Sequence, residues 1–297
     1  MDTRLVPTLS PDEVTDSLPL AAQPLDLSDA SSALVETCSA LALSLREGDV
    51  EAADRLFSFV TDQLADRRTA VTEVLAAMLL RSDCRVSLQP LTPTTIATSS
   101  GFLAGLRHPV SPAGRRSVLL YAASGGSTAL ALQMTAVLLD EAHVPVQLQY
   151  GLDVELLAHA ASDPSVAAVA LGVSGAGQAL QSQEMIRRLR RDGLPVVVVA
   201  DPAALNPELV RSVGASAAGW EPGELSDLLQ RVRGPLSPGE AEVLRFAADG
   251  YTNNRIAHEL DISVSAVKAR LEASYAKLQA ADRAHAVAIA IRQRWIL

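Results

Sequence analysis

Between residues 115 and 233 the chain alternates between two kinds of apolar pattern, and this constrains the fold more than any other feature. Short runs with few polar residues read as strands: SVLLYAA from Ser117, VPVQLQY from Val144, VAAVALGVS from Val166, PVVVVA from Pro195 and ASAAGW from Ala215. Between and after them lie longer stretches with helical spacing: TALALQMTAVLLDEA, VELLAHAA, QSQEMIRRLRRDG, PELVRSVG and ELSDLLQRVR. Strands alternating with helices imply a parallel sheet, right-handed crossovers and helices on both faces. Near-continuous apolar strands such as VVVVA fit a sheet buried on both sides. The expectation for 115–233 is a doubly wound, flavodoxin-like sheet of five strands.

The flanks differ. Residues 1–28 carry Pro7, Pro11, Pro19 and Pro24 among Ser, Thr and Asp, and read as a flexible lead-in. Residues 29–112 read as a small helical bundle. SSALVETCSALALSL is its first helix, stopped by Gly48-Asp49. VEAADRLFSFVTDQLA is the second, with Leu56, Phe57 and Val60 on one stripe. TAVTEVLAAMLL is the third, and a short fourth is expected near Ile96 to Leu106. From Gly234 to Leu297 every expected element is helical. The fold class is therefore multidomain, α and α/β.

Charge separates the last segment from the rest. The whole chain of 297 residues carries −9, which excludes coating of nucleic acid or anionic membrane by bulk charge. From Pro235 onward there are eight basic and seven acidic residues, so this segment is +1 and the remainder −10. Both lysines of the chain, Lys268 and Lys277, fall there. Cys38 and Cys84 are too few for a disulfide framework or a metal site and read as small core residues. The N-terminus lacks the basic end and apolar run of a signal peptide. No apolar stretch reaches the ~18 residues a membrane span needs. A cytoplasmic protein without a membrane partner is expected.

The C-terminal segment reads as four helices, the first three with N-caps. Ser237 and Glu240 have capping-box spacing, with Val243, Leu244 and Ala247 inward and Asp249-Gly250 as a stop. Thr252 caps the next helix, with Ile256, Ala257 and Leu260 inward. After a tight Asp261-Ile262 turn, Ser263 caps a third, with Val267, Leu271 and Leu278 inward. A fourth follows from Asp282 through Ile291. Two short helices joined by a few residues, the second opening on Ser and carrying Lys and Arg, make a helix-turn-helix. In LSPGEAEVL, GYTNNRIAHELDIS, VKARL, KL and DRAHAVAIA, in that order, the segment closely resembles the LuxR-type helix-turn-helix family.

The resemblance implies a third helix, from about Ser263 to Leu278, lying in the major groove of double-stranded promoter DNA. Thr252, Asn253, Ser263 and Ser265 can donate to phosphates at helix starts, with Val264 in the same first turn. Lys268 matches the family's base- and phosphate-contacting lysine, Arg270 projects near it, and Lys277 is placed for a backbone contact. The sequence departs from the family at Ala266 (usually Thr), Ala269, Arg270 (often His) and Glu272, which would face either a phosphate or a cytosine amino group. Few cations for phosphate imply modest affinity and a homodimer on a two-part site.

Two families share the expected sheet, and neither chemistry is complete. The phosphoacceptor receiver resembles LPVVVVAD and VGASAAGWEPGELSDLLQRV, and implies an acidic pair, an Asp and a Lys at strand ends. Here those places read Ala122-Ala123-Ser124, Leu171-Gly172-Val173-Ser174 and Trp220-Glu221. The cobalamin-binding domain resembles the order of bundle and first strands, and implies a cobalt-ligating His where this chain has Thr128. No cofactor and no metal are expected. Ser124-Gly125-Gly126-Ser127-Thr128, between a strand end and a helix start, can cradle a small anionic ligand or serve as a capped turn, with Ser174 nearby in the family's pattern. His143 and His159 read as solvated. Arg187, Arg188, Arg190 and Arg191 read as a solvated helix face. There are no catalytic residues to assign, and no enzyme is expected. The leading expectation is a DNA-binding regulator controlled by an unknown ligand or a regulatory protein partner. The alternatives are a protein-interaction anti-regulator that pairs with another DNA-binding protein, and a small-ligand sensor built on the Ser124–Thr128 loop.

Overall fold

The computed structural model describes residues 32–296 apart from 65, 83–85, 112–115, 152–153, 164, 193, 202, 204–206, 233–235 and 293–294. The expected lead-in over 1–28 and Cys84 lie outside the described residues. The bundle begins with α1 (Ser32–Glu47) and α2 (Val50–Leu64). Between them Gly48 adopts φ +93, which ends α1, and Asp49 accepts the Ala52 N–H at 2.8 Å, which starts α2. Phe57 and Val60 are buried, as their stripe predicts, and Leu56 packs against them half-buried. Cys38 is fully buried, as expected of a small core residue.

The third helix, α3, is α-helical over Arg67–Thr69 and Ala76–Leu80 but π-helical over Ala70–Leu75, which the sequence pattern did not anticipate. The fourth helix, α4 (Pro93–Leu106), starts earlier than the expected Ile96. Thr92 accepts the Thr95 N–H at 3.1 Å, and Pro93 sits in the first turn, where its missing N–H costs nothing.

The sheet is parallel throughout, in the order β2-β1-β3-β4-β5. Its strands are β1 (Ser117–Ala122), β2 (Val146–Tyr150), β3 (Val166–Gly172), β4 (Val196–Val199) and β5 (Ala217–Gly219). Helices α5 (Ser127–Glu141) and α10 (Pro222–Val232) cover one face. On the other lie α6 (Val154–Ala161), α7 (Ala176–Gln181), α8 (Gln183–Arg191) and α9 (Pro207–Val213), of which α7 was not expected. Alternate strand residues feed the two layers: Val118 and Leu120 join the first, Leu119 and Tyr121 the second.

Every residue of α5 from Thr128 to Asp140 is buried, because the helix lies between the sheet and the bundle. The segments 29–112 and 115–233, expected as two units, consequently share one core. Among the described residues, ion pairs cross their seam with the arginine on the bundle side and the carboxylate on the α/β side. They are Arg67–Glu141 at 3.1 Å, Arg68–Asp227 at 2.7 Å, Arg81–Glu221 at 3.2 Å and Arg107–Asp140. The last is bidentate, at 2.7 and 3.0 Å, with the Asp140 side chain only 1% exposed. The four C-terminal helices have a hydrophobic core of their own. No helix among the described residues is long and apolar enough to cross a membrane.

Candidate nucleic-acid interface

The C-terminal helices are α11 (Pro238–Ala248), α12 (Asn253–Glu259), α13 (Val264–Leu278) and α14 (Arg283–Arg292). The first three starts are capped by the residues the sequence pattern points to, and the fourth by Asp282, which the pattern placed inside the helix. Ser237 accepts the Glu240 N–H while the Glu240 carboxylate accepts the Ser237 N–H, a closed capping box. Thr252 accepts the Arg255 N–H at 3.4 Å, Ser263 the Ala266 N–H at 3.1 Å and Asp282 the His285 N–H at 2.8 Å. Gly250 at φ +80 and Asp261 at φ +51 make the turns on either side of α12. Val243, Leu244, Ala247, Ile256, Ala257, Val267, Leu271 and Leu278 are buried, and Leu260 packs against them half-buried.

This packing leaves one row of α13 facing solvent. Ser263, Val264, Ser265, Lys268 and Glu272 are exposed, and the Ser263 and Ser265 hydroxyls bond each other at 2.8 Å. Thr252, the cap of α12, is exposed, and Asn253 is half-buried. The other two cations have company. Arg270 is half-buried against the start of α11, so closely that a Cβ on Gly239 would lie 3.1 Å from its guanidinium carbon. The Lys277 ammonium donates to Glu240 at 2.8 Å. Burial pushes the Glu240 carboxyl up, but Lys277 and the Ser237 N–H outweigh it and hold the group below the usual carboxylate range.

Two arginines that sequence reasoning passed over help build this surface. Arg255 places its guanidinium 3.8 Å above the Tyr251 ring, on the exposed side of α12. Arg283 reaches from α14 to the Ala247 and Tyr251 carbonyls and to Asn253 Oδ1. Spacing alone marks Arg255 as an exposed helix position; nothing local in the sequence marks Arg283 as a long-range tie.

At the sheet's C-terminal edge the expected loop residues come together. Gly126, at φ +70, precedes α5 without a side-chain cap. Thr128 is buried and donates to the Val173 carbonyl at 3.4 Å. Its methyl lies where a Cβ on Gly172 would come within 2.8 Å. Ser174 turns its N–H (2.7 Å) and hydroxyl (3.1 Å) to Gln178 Oε1, and Gln178 donates on to the Ala123 carbonyl. Ser124, Gly125 and Ser127 complete the loop, with the Ser124 hydroxyl shielded and without a hydrogen-bond partner. Thr128 therefore bonds inward, and no imidazole or thiolate stands in the loop to meet a cobalt ion. Among the described residues no cluster suits a metal ion. His143 and His159 are exposed, as are Arg187, Arg188, Arg190 and Arg191.

Four helices in this order, the second and third joined by a tight turn and the third presenting a polar row, define a helix-turn-helix module. Residues 234–290 match the family described as "Bacterial regulatory proteins, luxR family", so the C-terminal domain is of the LuxR type. Over 82 residues the chain is 42% identical to the probable transcriptional regulatory protein NarL of Mycobacterium tuberculosis (strain ATCC 25618 / H37Rv). That match covers 28% of this chain and 38% of the relative, so the chain spans well under half of that protein. Among solved structures, a cobalamin-binding protein from Desulfitobacterium hafniense DCB-2 aligns with 66% of this chain and 98% of its own, at TM-score 0.38 and 15% identity. Full-length FixJ from B. japonicum covers 62% and 100%, at TM-score 0.31 and 16% identity. RcsB from Salmonella enterica serovar Typhimurium, solved bound to promoter rprA, covers 58% and 97%, at TM-score 0.27 and 18% identity.

Proposed function

We propose that this chain is a bacterial transcription regulator that binds promoter DNA as a homodimer through its C-terminal domain. One observation carries the reading: α13 shows solvent a row of hydroxyls and the exposed Lys268, while its other face is sealed by core. A helix of that kind, presented after a short capped helix, suits the major groove. Ser263, Ser265 and Thr252 would donate to phosphate oxygens, Val264 would meet base edges, Lys268 would reach a base edge and a phosphate, and Arg270 and Lys277 would act from behind as packed cations. With so few free charges per protomer, a two-part site gives the affinity that one copy lacks.

The body would regulate this domain without phosphotransfer or corrin chemistry. Ala122-Ala123-Ser124 after β1, Val173-Ser174 after β3 and Trp220-Glu221 after β5 offer neither the acids nor the lysine of a phosphoacceptor site. The inward-bonded Thr128 argues the same for a cobalt ligand. Control falls instead to a ligand or a protein partner, and the chain is no enzyme. Exposed Glu272, on the same helix as Lys268, supports a second reading, that of an anti-regulator pairing with another DNA-binding protein. A salt titration on duplexes enriched from genomic DNA separates the two. The regulator binds specifically, with affinity falling steeply as salt rises, and Lys268→Ala reduces the salt slope by about one. Absence of binding at low salt favours the anti-regulator.

A further inference from the structure

Arg283 opens α14 and reaches back to three acceptors around the start of α12. Its Nη2 donates to Ala247 O at 3.2 Å and to Tyr251 O, and its Nη1 donates to Asn253 Oδ1 at 3.2 Å. The first two bonds go to carbonyls at and just beyond the end of α11, where Ala247 O also accepts the Gly250 N–H at 3.2 Å. The third has a different consequence. A carboxamide offers an acceptor at one end and two donors at the other, and either end can turn outward. A guanidinium carries donors alone, so it takes the oxygen and fixes the carboxamide the other way round. Half-buried Asn253 is left with N–H groups for any further partner, and such a group recognises an acceptor.

We infer that Arg283 is a positioning residue for DNA binding, which holds the Asn253 carboxamide so that its NH2 group donates to a backbone phosphate. This rests on the reading of the module as a DNA-binding domain and adds to it a residue that acts on DNA through a neighbour. The contact made by Asn253 fixes where the protein sits on the duplex and carries no base preference.

Asn253→Asp separates positioning from simple bracing. The carboxylate still accepts from Arg283, and more strongly, so the melting temperature of the full chain holds or rises. It has no N–H, however, and repels phosphate. Affinity for a fluorescent duplex, selected from random sequence by the wild-type chain, is expected to fall more than about tenfold, further than for Asn253→Ala. Arg283→Lys keeps the charge but loses the fork. It is expected to weaken binding about tenfold alone and little further in the Asn253→Ala background. Wild-type affinity in Asn253→Asp, or simple addition of the two losses in the double variant, overturns the positioning role while leaving the module's function intact. A wild-type chain that selects no duplex overturns the function, and the positioning role with it.

Discussion

The body, from Ser32 to Val232, and the C-terminal domain contain the same kinds of polar side chain and use them in opposite ways. At the body's seam and sheet edge, several cations and hydroxyls close on partners within the chain. Arg107 is locked on Asp140, Ser174 on Gln178 and Thr128 on the Val173 carbonyl. In the C-terminal domain, caps satisfy the helix starts and a small core seals one side, yet Ser263, Ser265 and Lys268 are left facing water. An Arg or a Ser is functional or structural according to whether the fold already supplies its partner. By that measure the body is a scaffold and the domain an interface.

The largest expected effect lies in the scaffold. Asp140→Ala leaves Arg107 buried without its counter-charge, and should lower stability by about 3–5 kcal/mol in urea denaturation. The midpoint reported from the C-terminal domain should not move, since its core is separate. A loss below about 1 kcal/mol, the range of exposed pairs, would mean the seam is not the anchor described here. Gly172→Ala comes next. Its Cβ would stand 2.8 Å from both Leu132 Cδ1 and the branched Thr128 Cγ2, and about 1–3 kcal/mol of overpacking should appear in the same transition. In the other region, Ser237→Ala opens the capping box and should cost about 1 kcal/mol, seen in the domain's transition alone.

The smallest effect is a pH dependence confined to the C-terminal domain. Because the folded Glu240 carboxyl is depressed, its contribution is complete above the unfolded value of 4.5 and is lost as pH falls through the folded value. Thermal melts should show the domain weakening only on acidification below that range. Lys277→Ala, which removes one of the stabilising partners, should shrink this acid-induced loss. A loss of unchanged size in the variant would separate the pair from acid stability.

How much of this could be read from the sequence follows the same division. Patterns within a dozen residues were legible: the strand–helix alternation, the caps at Ser237, Thr252 and Ser263, and the stops at Gly48 and Gly250. Each depends on local backbone chemistry. What escaped depends on partners distant in the chain. α5 is buried all round because the bundle covers the face the sheet does not, and the pattern alone does not name that second neighbour. Arg270 reads as a cation near the groove and Lys277 as a backbone contact, because Gly239 and Glu240 lie more than 30 residues away and meet them only in the folded domain. The π-helical turns in Ala70–Leu75 occur in a stretch whose composition is ordinary for an α-helix.

The contrast between scaffold and interface comes to a point at Lys268. Chromatin immunoprecipitation with sequencing, on cells carrying the wild-type chain or Lys268→Ala at matched abundance, tests it most directly. The account predicts discrete wild-type peaks sharing one two-part sequence upstream of genes, and their collapse in the variant. Equal occupancy by both forms, or no sequence-specific peak for either, contradicts it.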